Sequence, residues 1–524
     1  MRAPHSSKRR SFLTSLAAGL GLAPWSQVAG ALDSSAGTAT PRRKLTLPRR
    51  KGHTPRNVIL VITDDQRYDA LGFMKAQSFL ETPHLDALAA RGVHFENAFV
   101  STALCSPSRA TILTGLYAHQ HRVVDNNHPV APELVFFPEY LKRAGYETAL
   151  VGKWHMGGES DAPQRGFDHW VSFRGQGSYV PTSDGLNIDG QRVPQRGYIT
   201  DELTEYALDW LGKRQGKRPF FLMLAHKAVH SKLVPAPRHQ GRYANASFRP
   251  PRSMSPSPSQ QALQPLWVKN QRNSVHGVEF PYQDPQGKLA AYFQRYAETL
   301  LSVDESVGAL VDHLRARQLL DSTVILFMSD NGFAFGEHGL IDKRTAYEES
   351  MRIPLIMSCP ELFEPGRAVS ALAANLDIAP TILELAGLEP PAHLRGRSLV
   401  GPARGESVPW RDALLYEYYW ERNYPQTPSL HALRSDTHKY IRPHGVWDLD
   451  ELYDLRSDAG EEDNLIFSPG HEALAAQLNA RLFDLLSETQ GLDIPMKPDT
   501  GERYLLRRAD GSGTAGFPPQ FLKR

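Results

Sequence analysis

Asn57-Val58-Ile59-Leu60-Val61-Ile62-Thr63-Asp64-Asp65 is the stretch that decides the fold. An unbroken apolar, β-branched run of this length suits a strand covered on both faces, as in a parallel sheet, better than an alternating surface strand. It closes abruptly on two carboxylates. The same pattern recurs along the chain: Glu147 to Gly152 leads into Lys153-Trp154-His155, Phe220 to Ala225 into His226 and His230, and Thr323 to Met328 into Asp330-Asn331. Phe95 to Ser101 reads as a further strand. Between the strands lie helical segments. Thr82-Pro83 opens one that Gly92 stops, and Phe136 to Ala144, Thr200 to Lys213 and Leu289 to Leu319 carry helical patterns. This alternation predicts an α/β fold built on a large, mostly parallel sheet flanked by helices. Ligands of such sheets gather beyond the carboxyl ends of the strands, where every polar cluster just named lies.

The flanks of this domain have a different texture. Lys8-Arg9-Arg10-Ser11-Phe12-Leu13, an apolar run from Leu16 to Trp25 and Ala29-Gly30-Ala31 read as a signal peptide over 1–31. The paired arginines look like a twin-arginine export signal, with an ordinary secretory signal or a basic tail as the alternative. Residues 32–54, rich in Ser, Thr, Pro and Arg, read as a linker. Residues 231–288 hold many prolines and little periodicity, and are expected either to wall the site that follows His230 or to form a solvated excursion. After Gly401, Ala413 to Trp420, His431 to Arg442 and Glu451 to Leu455 read as short strands, and Glu472 to Ser487 as a helix. The expected divisions are a main domain over 55–400, a smaller one over 401–490 and a polar tail over 491–524.

Lys plus Arg is 59 and Asp plus Glu 57 in 524 residues, so no net excess suits a polyanion such as nucleic acid. Past the leader no stretch is apolar and long enough to span a bilayer, so stable membrane insertion is not expected. The two cysteines, Cys105 and Cys359, cannot build a disulfide framework. Cys359 ends the apolar run from Ile353 and reads as a small core hydrophobe.

Cys105 is different. Leu104-Cys105-Ser106-Pro107-Ser108-Arg109 continues through Thr114-Gly115, and Arg109, four residues on, stacks above the cysteine on any helix that starts there. Asp64-Asp65 and Asp330-Asn331 offer an all-oxygen ligand set, which favours a hard cation, Ca²⁺ or Mg²⁺, over zinc. Asp and Asn also cap helices and make turns, which is the plain alternative for each pair. Lys153 and His155 share a face if the strand stays extended. His230 and Lys343, the latter in Gly336-Glu337-His338-Gly339-Leu340-Ile341-Asp342-Lys343, are the remaining candidates; alone, either could be a solvated surface group.

Cys105-x-Pro107-x-Arg109 with Thr114-Gly115 resembles the signature of type I sulfatases of the alkaline phosphatase superfamily. The resemblance implies an alkaline phosphatase-like catalytic domain and a C-terminal subdomain with an antiparallel sheet and a helix; Tyr453-Asp454-Leu455, Asp458 and Asn464-Leu465 match that ending. It implies a sulfuric ester hydrolase in which Cys105 is oxidised to formylglycine by a formylglycine-generating enzyme. Asp64, Asp65, Asp330 and Asn331 match the family's metal ligands, the modified Cys105 adding an oxygen, with calcium the usual ion and magnesium second. Arg109, Lys153, His155, His230 and Lys343 match its active-site positions. In the implied reaction one hydroxyl of the aldehyde hydrate, assisted by Asp330, attacks sulfur. His230 or Lys343 protonates the departing alcohol, and His155 takes the proton of the second hydroxyl as sulfate leaves. The implied substrate is a sulfated carbohydrate or aryl sulfate, met in the periplasm or outside a bacterial cell after passage through the twin-arginine translocase. Val229 stands where many relatives carry proline, and the stretch around Gln271-Arg272-Asn273-Ser274 looks like bacterial enzymes acting on sulfated sugars. The same fold also serves phosphonate and phosphate ester hydrolases, and with Cys105 left as a thiol the chain would be a sugar-binding protein.

Overall fold

Asn57–Thr63 lies in the interior of a sheet that, in the computed structural model, is described together with residues 45–158, 160–271, 288–422, 424–445 and 447–495. Among the described residues this sheet has ten strands. From edge to edge they run Arg367–Val369, Val93–Phe95, Leu355–Ser358, Thr323–Ser329, Asn57–Thr63, Phe220–Ala225, Glu147–Gly152, His169–Ser172, Leu186–Ile188 and Gln191–Val193. Thr323–Ser329 through His169–Ser172 are mutually parallel, while Leu355–Ser358 and Leu186–Ile188 turn antiparallel at either side. The sheet is therefore mixed and mostly parallel.

The unbroken apolar run has a direct cause. Val58, Leu60 and Ile62 enter one apolar layer with Ile112 and Leu113 of the Cys105–Thr114 helix, and Ile59 and Val61 enter the other with Leu300, Val303 and Val307 of the Lys288–Ala316 helix. Both faces are covered, so neither can be polar. Each such Leu or Ile contributes about 1.5–3 kcal/mol by burial.

Register then aligns the strand ends. Ile62 lies beside Ala225, Thr63 beside Ser329, and Gly152 beside Ala225. Asp64, Asp330, His226 and Lys153 thus leave the sheet at one level, from neighbouring strands about 4.8 Å apart. Gly152 is required for this. Its φ is +119°, and a Cβ there would stand 1.9 Å from the Ala225 carbonyl oxygen.

Two expected strands divide. Phe95 to Ser101 becomes Val93–Phe95 in the main sheet and Ala98–Phe99, which leaves it to pair with Ala373–Ala374. His431 to Arg442 is a hairpin, Ser429–Ser435 and His438–His444. Its Asp436-Thr437 turn lacks the glycine that signals a tight hairpin. With Ala413–Tyr418 and Glu451–Asp454 it forms a four-stranded antiparallel sheet, against which Glu472–Glu488 buries Leu478, Leu482 and Leu486. The Glu417 amide donates to the Ser101 carbonyl at 2.8 Å, tying this sheet to the approach of the Cys105 helix.

The expected linker is not free at its end: Arg50 pairs with Glu384 at 2.9 Å and its amide donates to Gly387. The leader over 1–31, the linker up to 44, Arg272-Asn273-Ser274 and the tail from 496 lie outside the described residues. Within 231–271 the segment after His230 is largely exposed but tied down at several points. Arg238 grips Asp201 at 2.7 Å, the Tyr243 amide donates to Glu298, and the Trp267 amide donates to Asp448. No helix among the described residues is long and apolar enough to cross a membrane.

Candidate active site

Cys105 opens its helix directly: Leu104 is extended, Cys105–Thr114 is helical, and Gly115 at φ +65° ends it. The small residues of this helix let it lie buried along its whole length against the strand ends. Cys105 Sγ stands 3.4 Å from Asp64 Oδ1, and Lys343 Nζ donates to it at 2.9 Å. One turn on, Arg109 donates through Nε to Asp330 Oδ2 at 2.9 Å and through a terminal nitrogen to the Lys153 carbonyl at 2.7 Å. Lys153 meets Asp64 Oδ2 and, at 2.5 Å, Gln176 Oε1. Lys343 meets Asp65 Oδ1, to which Asn331 Nδ2 also donates at 2.6 Å. His230 Nε2 is 3.7 Å from Asp65 Oδ2. Asp64, Asp65, Cys105, Arg109, Lys153, His230, Asp330, Asn331 and Lys343 therefore share one network. The His155 carbonyl accepts from Ser106 Oγ, next to Cys105, while its ring lies buried and Nδ1 has no hydrogen-bond partner among the described residues.

Asp65 and His155 both hold positive φ, 61° and 49°. At Asp65 the turn swings a side chain that an extended strand would place on the face opposite Asp64. At His155 it breaks the extended path expected to put Lys153 and His155 on one face, since the strand ends at Gly152.

Every carboxylate at the centre has a cation: Asp64 has Lys153, Asp65 has Lys343 and Asp330 has Arg109. Burial works to raise Asp64, but Lys153, His230, Lys343 and Arg109 outweigh it and hold the carboxyl well below its usual range. Burial raises Asp65 against the pull of Lys343, and burial with Asp64 alongside pushes Asp330 up to about 6. Burial and Asp64 push the Cys105 thiol up to about 12, so the unmodified side chain is a poor thiolate. Burial also depresses both His155 and His230, and Asp65 holds the Lys343 proton despite burial.

The oxygens of Asp64, Asp65 and Asp330 come within 4.8 Å of one another. Asn331 turns its amide nitrogen to Asp65 and Gly332, leaving Oδ1 buried without a hydrogen-bond partner among the described residues. An orphaned carbonyl oxygen beside three carboxylates fits a hard divalent cation.

Sequence reasoning passed over several groups that shape this site. Gln176 binds Lys153, Tyr296 binds the Asp65 carbonyl at 3.1 Å, and Asn375 donates to Ser108 at 3.0 Å. Lys227 was flagged only by its neighbours in His226 to His230, and Tyr179 stands in a glycine-bearing loop with no signal of its own.

Comparison with known proteins bears on the whole arrangement. A sulfatase family model matches residues 56–388, and one for the N-sulphoglucosamine sulphohydrolase C-terminal region matches 336–488. The N-acetylglucosamine-6-O-sulfatase of Bacteroides thetaiotaomicron is 32% identical over 519 residues, covering 88% of this chain and 90% of that protein. The N-acetylglucosamine-6-sulfatase of Homo sapiens is 33% identical over 410 residues, 71% of this chain and 70% of that protein. A solved structure of a protein in complex with its substrate D-glucosamine-2-N,6-O-disulfate superposes with a TM-score of 0.75 at 29% identity, covering 85% of this chain and all of that one.

Proposed function

The chain belongs to the sulfatase family, and from that premise we propose that it hydrolyses the 6-O-sulfate ester of glucosamine or N-acetylglucosamine units. The observation that carries the sugar is the 32% identity over 88% of the chain to an N-acetylglucosamine-6-O-sulfatase. The neighbouring structure with a glucosamine disulfate as substrate supports it.

A sulfate monoester brings negative charge on its nonbridging oxygens, so the site must supply fixed positive charge where that charge grows. Asp64, Asp65, Asp330 and Asn331 would hold the divalent ion. We take it to be Ca²⁺ rather than Mg²⁺ because a set of four oxygen ligands supplied by the protein suits the larger ion, whereas Mg²⁺ is usually held by one or two carboxylates. When bound, it supplies Lewis-acid stabilisation of sulfate oxygens. Oxidation of Cys105 to formylglycine, general to the family, supplies a hydrated aldehyde: one hydroxyl to attack sulfur, the other to let sulfate leave by elimination.

The remaining work falls to the chain's own side chains. Arg109 and Lys153 keep Asp330 and Asp64 aimed at the centre. Lys343, already on Cys105 Sγ, orients the group built there. His230, in its doubly protonated form, is the proton donor to the departing alcohol oxygen. Lys343 is committed to Asp65 and Cys105, whereas His230 Nε2 stands 3.7 Å from Asp65 Oδ2. The negative charge of a bound sulfate ester favours the imidazolium that burial alone disfavours. His155, kept neutral by burial and Lys153, is the base for the second hydroxyl. Conversion precedes export through the twin-arginine route, which carries folded proteins. Replacing Arg9 and Arg10 by lysine should leave the protein in the cytoplasm.

The test measures inorganic sulfate released from N-acetylglucosamine-6-sulfate, glucosamine-2-N,6-O-disulfate and their 3-O- and 4-O-sulfated isomers, and in parallel the phenol released from an aryl phosphonate monoester. Release confined to the 6-O esters is expected. Faster release from another isomer overturns the position, and phosphonate turnover without sulfate release overturns the reaction class. Mass spectrometry of the Cys105 peptide should find it lighter by about 18 Da than the thiol form.

A further inference from the structure

His230 has one ring nitrogen toward the centre and one turned away. Its Nδ1 is 2.5 Å from the Ser231 carbonyl oxygen. A carbonyl only accepts, so Nδ1 carries a proton there, and Nε2 is the atom left to face Asp65 and the reacting ester, where it gives up the second proton of the imidazolium. The direction of the ring thus depends on where the His230–Ser231 backbone is held.

Two buried side chains hold it. The Tyr179 hydroxyl donates to the His230 carbonyl at 2.6 Å, and Lys227 Nζ reaches the Ser231 carbonyl at 3.4 Å. They also hold each other, the Lys227 ammonium lying 4.8 Å from the centroid of the Tyr179 ring. Tyr179 is anchored in turn. The Ile199 amide donates to its carbonyl at 2.9 Å, and its ring stacks at 5.9 Å on Tyr198, whose hydroxyl donates to Val234 at 2.9 Å. Burial keeps the Tyr179 phenol protonated, as a donor must be. Lys227 stands apart from the other buried cations of the site. Arg109, Lys153 and Lys343 each meet a carboxylate, whereas Lys227 has no carboxylate at ion-pair distance among the described residues. A buried ammonium held only by a carbonyl and an aromatic face is a costly arrangement unless its position matters.

We propose that Tyr179 and Lys227 are positioning residues for His230: gripping the His230 and Ser231 carbonyls, they fix the imidazole with Nε2 aimed at the leaving-group oxygen. The assignment rests on His230 being the proton donor.

The test compares two esters. A sugar 6-sulfate has a poor leaving group that needs a proton, whereas 4-nitrophenyl sulfate has a good one that does not. Tyr179→Phe should lower kcat on the sugar sulfate by about 10- to 100-fold and on the aryl sulfate by less than about threefold, with KM little changed. Lys227→Met should show the same selectivity, and Lys227→Arg should recover most of the sugar-sulfate activity. An equal fall on both esters, or no fall on either, overturns the positioning role. His230→Ala run alongside separates this from the underlying reading. Selective loss in His230→Ala with a wild-type Tyr179→Phe keeps the proton donor and discards the clamp. Equal loss on both esters in His230→Ala discards the donor itself, and the clamp with it.

Discussion

Two of the clusters of buried carboxylates among the described residues treat charge differently. At the strand ends Asp64, Asp65 and Asp330 face Lys153, Lys343 and Arg109, one cation to each carboxylate. Beneath the C-terminal sheet Glu348, Glu349, Glu451 and Glu461 share fewer cations: Lys439 lies 2.6 Å from Glu461 and 2.9 Å from Glu348, and Arg434 lies 3.3 Å from Glu348. In the first, Asp64 is held ionised, and Asp330, raised to about 6, is ionised at neutral pH. In the second, burial works to raise Glu348 but Lys439 and Arg434 hold it down at about 2, while burial raises Glu349 and pushes Glu451 and Glu461 up to about 7. Tyr347 and Tyr453 donate to Glu451 at 2.6 and 2.7 Å, and the Glu348 amide donates to Glu461 at 2.7 Å. The supply of cations decides the use. A carboxylate that is to hold a metal must keep its charge, whereas one that stitches two elements together can take up a proton and still accept hydrogen bonds.

The contrast breaks most sharply if chemistry and stability do not separate. Cys105→Ala should lower sulfate release by at least about 10⁴-fold, since the nucleophile itself is gone. The melting temperature should move little, because the side chain is small and its helix is fixed by Arg109 and the residues beyond. Substantial residual turnover would remove Cys105 from the chemistry. Asp330→Asn should come next, with turnover falling by about 10²- to 10³-fold. Elemental analysis of the purified variant should find less bound metal. Full metal content in an inactive variant would separate Asp330 from the ligand set.

The two clusters were not equally legible in the sequence. Asn57–Thr63, Glu147–Gly152 and Phe220–Ala225 could be read to the residue, because strands covered on both faces leave no polar position to blur their ends. The parallel register then carries Asp64, Lys153 and Asp330 together without further information. The seam gave no such signal. Glu348 and Glu349 look like ordinary helix-start acids in sequence, and Lys439 falls in a hairpin whose turn carries no glycine to mark it. Tyr179 carries no signal and Lys227 only that of its histidine neighbours for a related reason: each acts on a backbone carbonyl, and that leaves no trace in residue spacing.

Lys439→Met tests the seam from the other side. Lys439 is fully buried between Glu348 and Glu461, and removing it leaves both with less compensation. A loss of about 3–5 kcal/mol is expected from denaturant unfolding, with kcat of the folded enzyme within about twofold of wild type. A fall in kcat at unchanged stability would make the seam part of the catalytic machinery and dissolve the distinction drawn above.

The smallest effect concerns pH. Glu451 is raised by burial from 4.5 to about 7 in the folded protein, so the folded state binds its proton more tightly than the unfolded chain does. Its contribution to stability is therefore fully present below about pH 4.5 and is lost as pH rises through about 7. Glu451→Gln keeps an oxygen that can accept from Tyr347 and Tyr453 but has no charge to desolvate. Relative to wild type the variant should be more stable by about 1–3 kcal/mol at pH 8, with the difference shrinking toward zero near pH 4.5. Thermal melts of both proteins across that range measure it. Because Asp64 is held low and gains stability in the opposite direction, only the difference between the two curves isolates the seam. A difference that grows as pH falls would mean that Glu451 is ionised in the folded state and that the seam, like the strand ends, is built on charge.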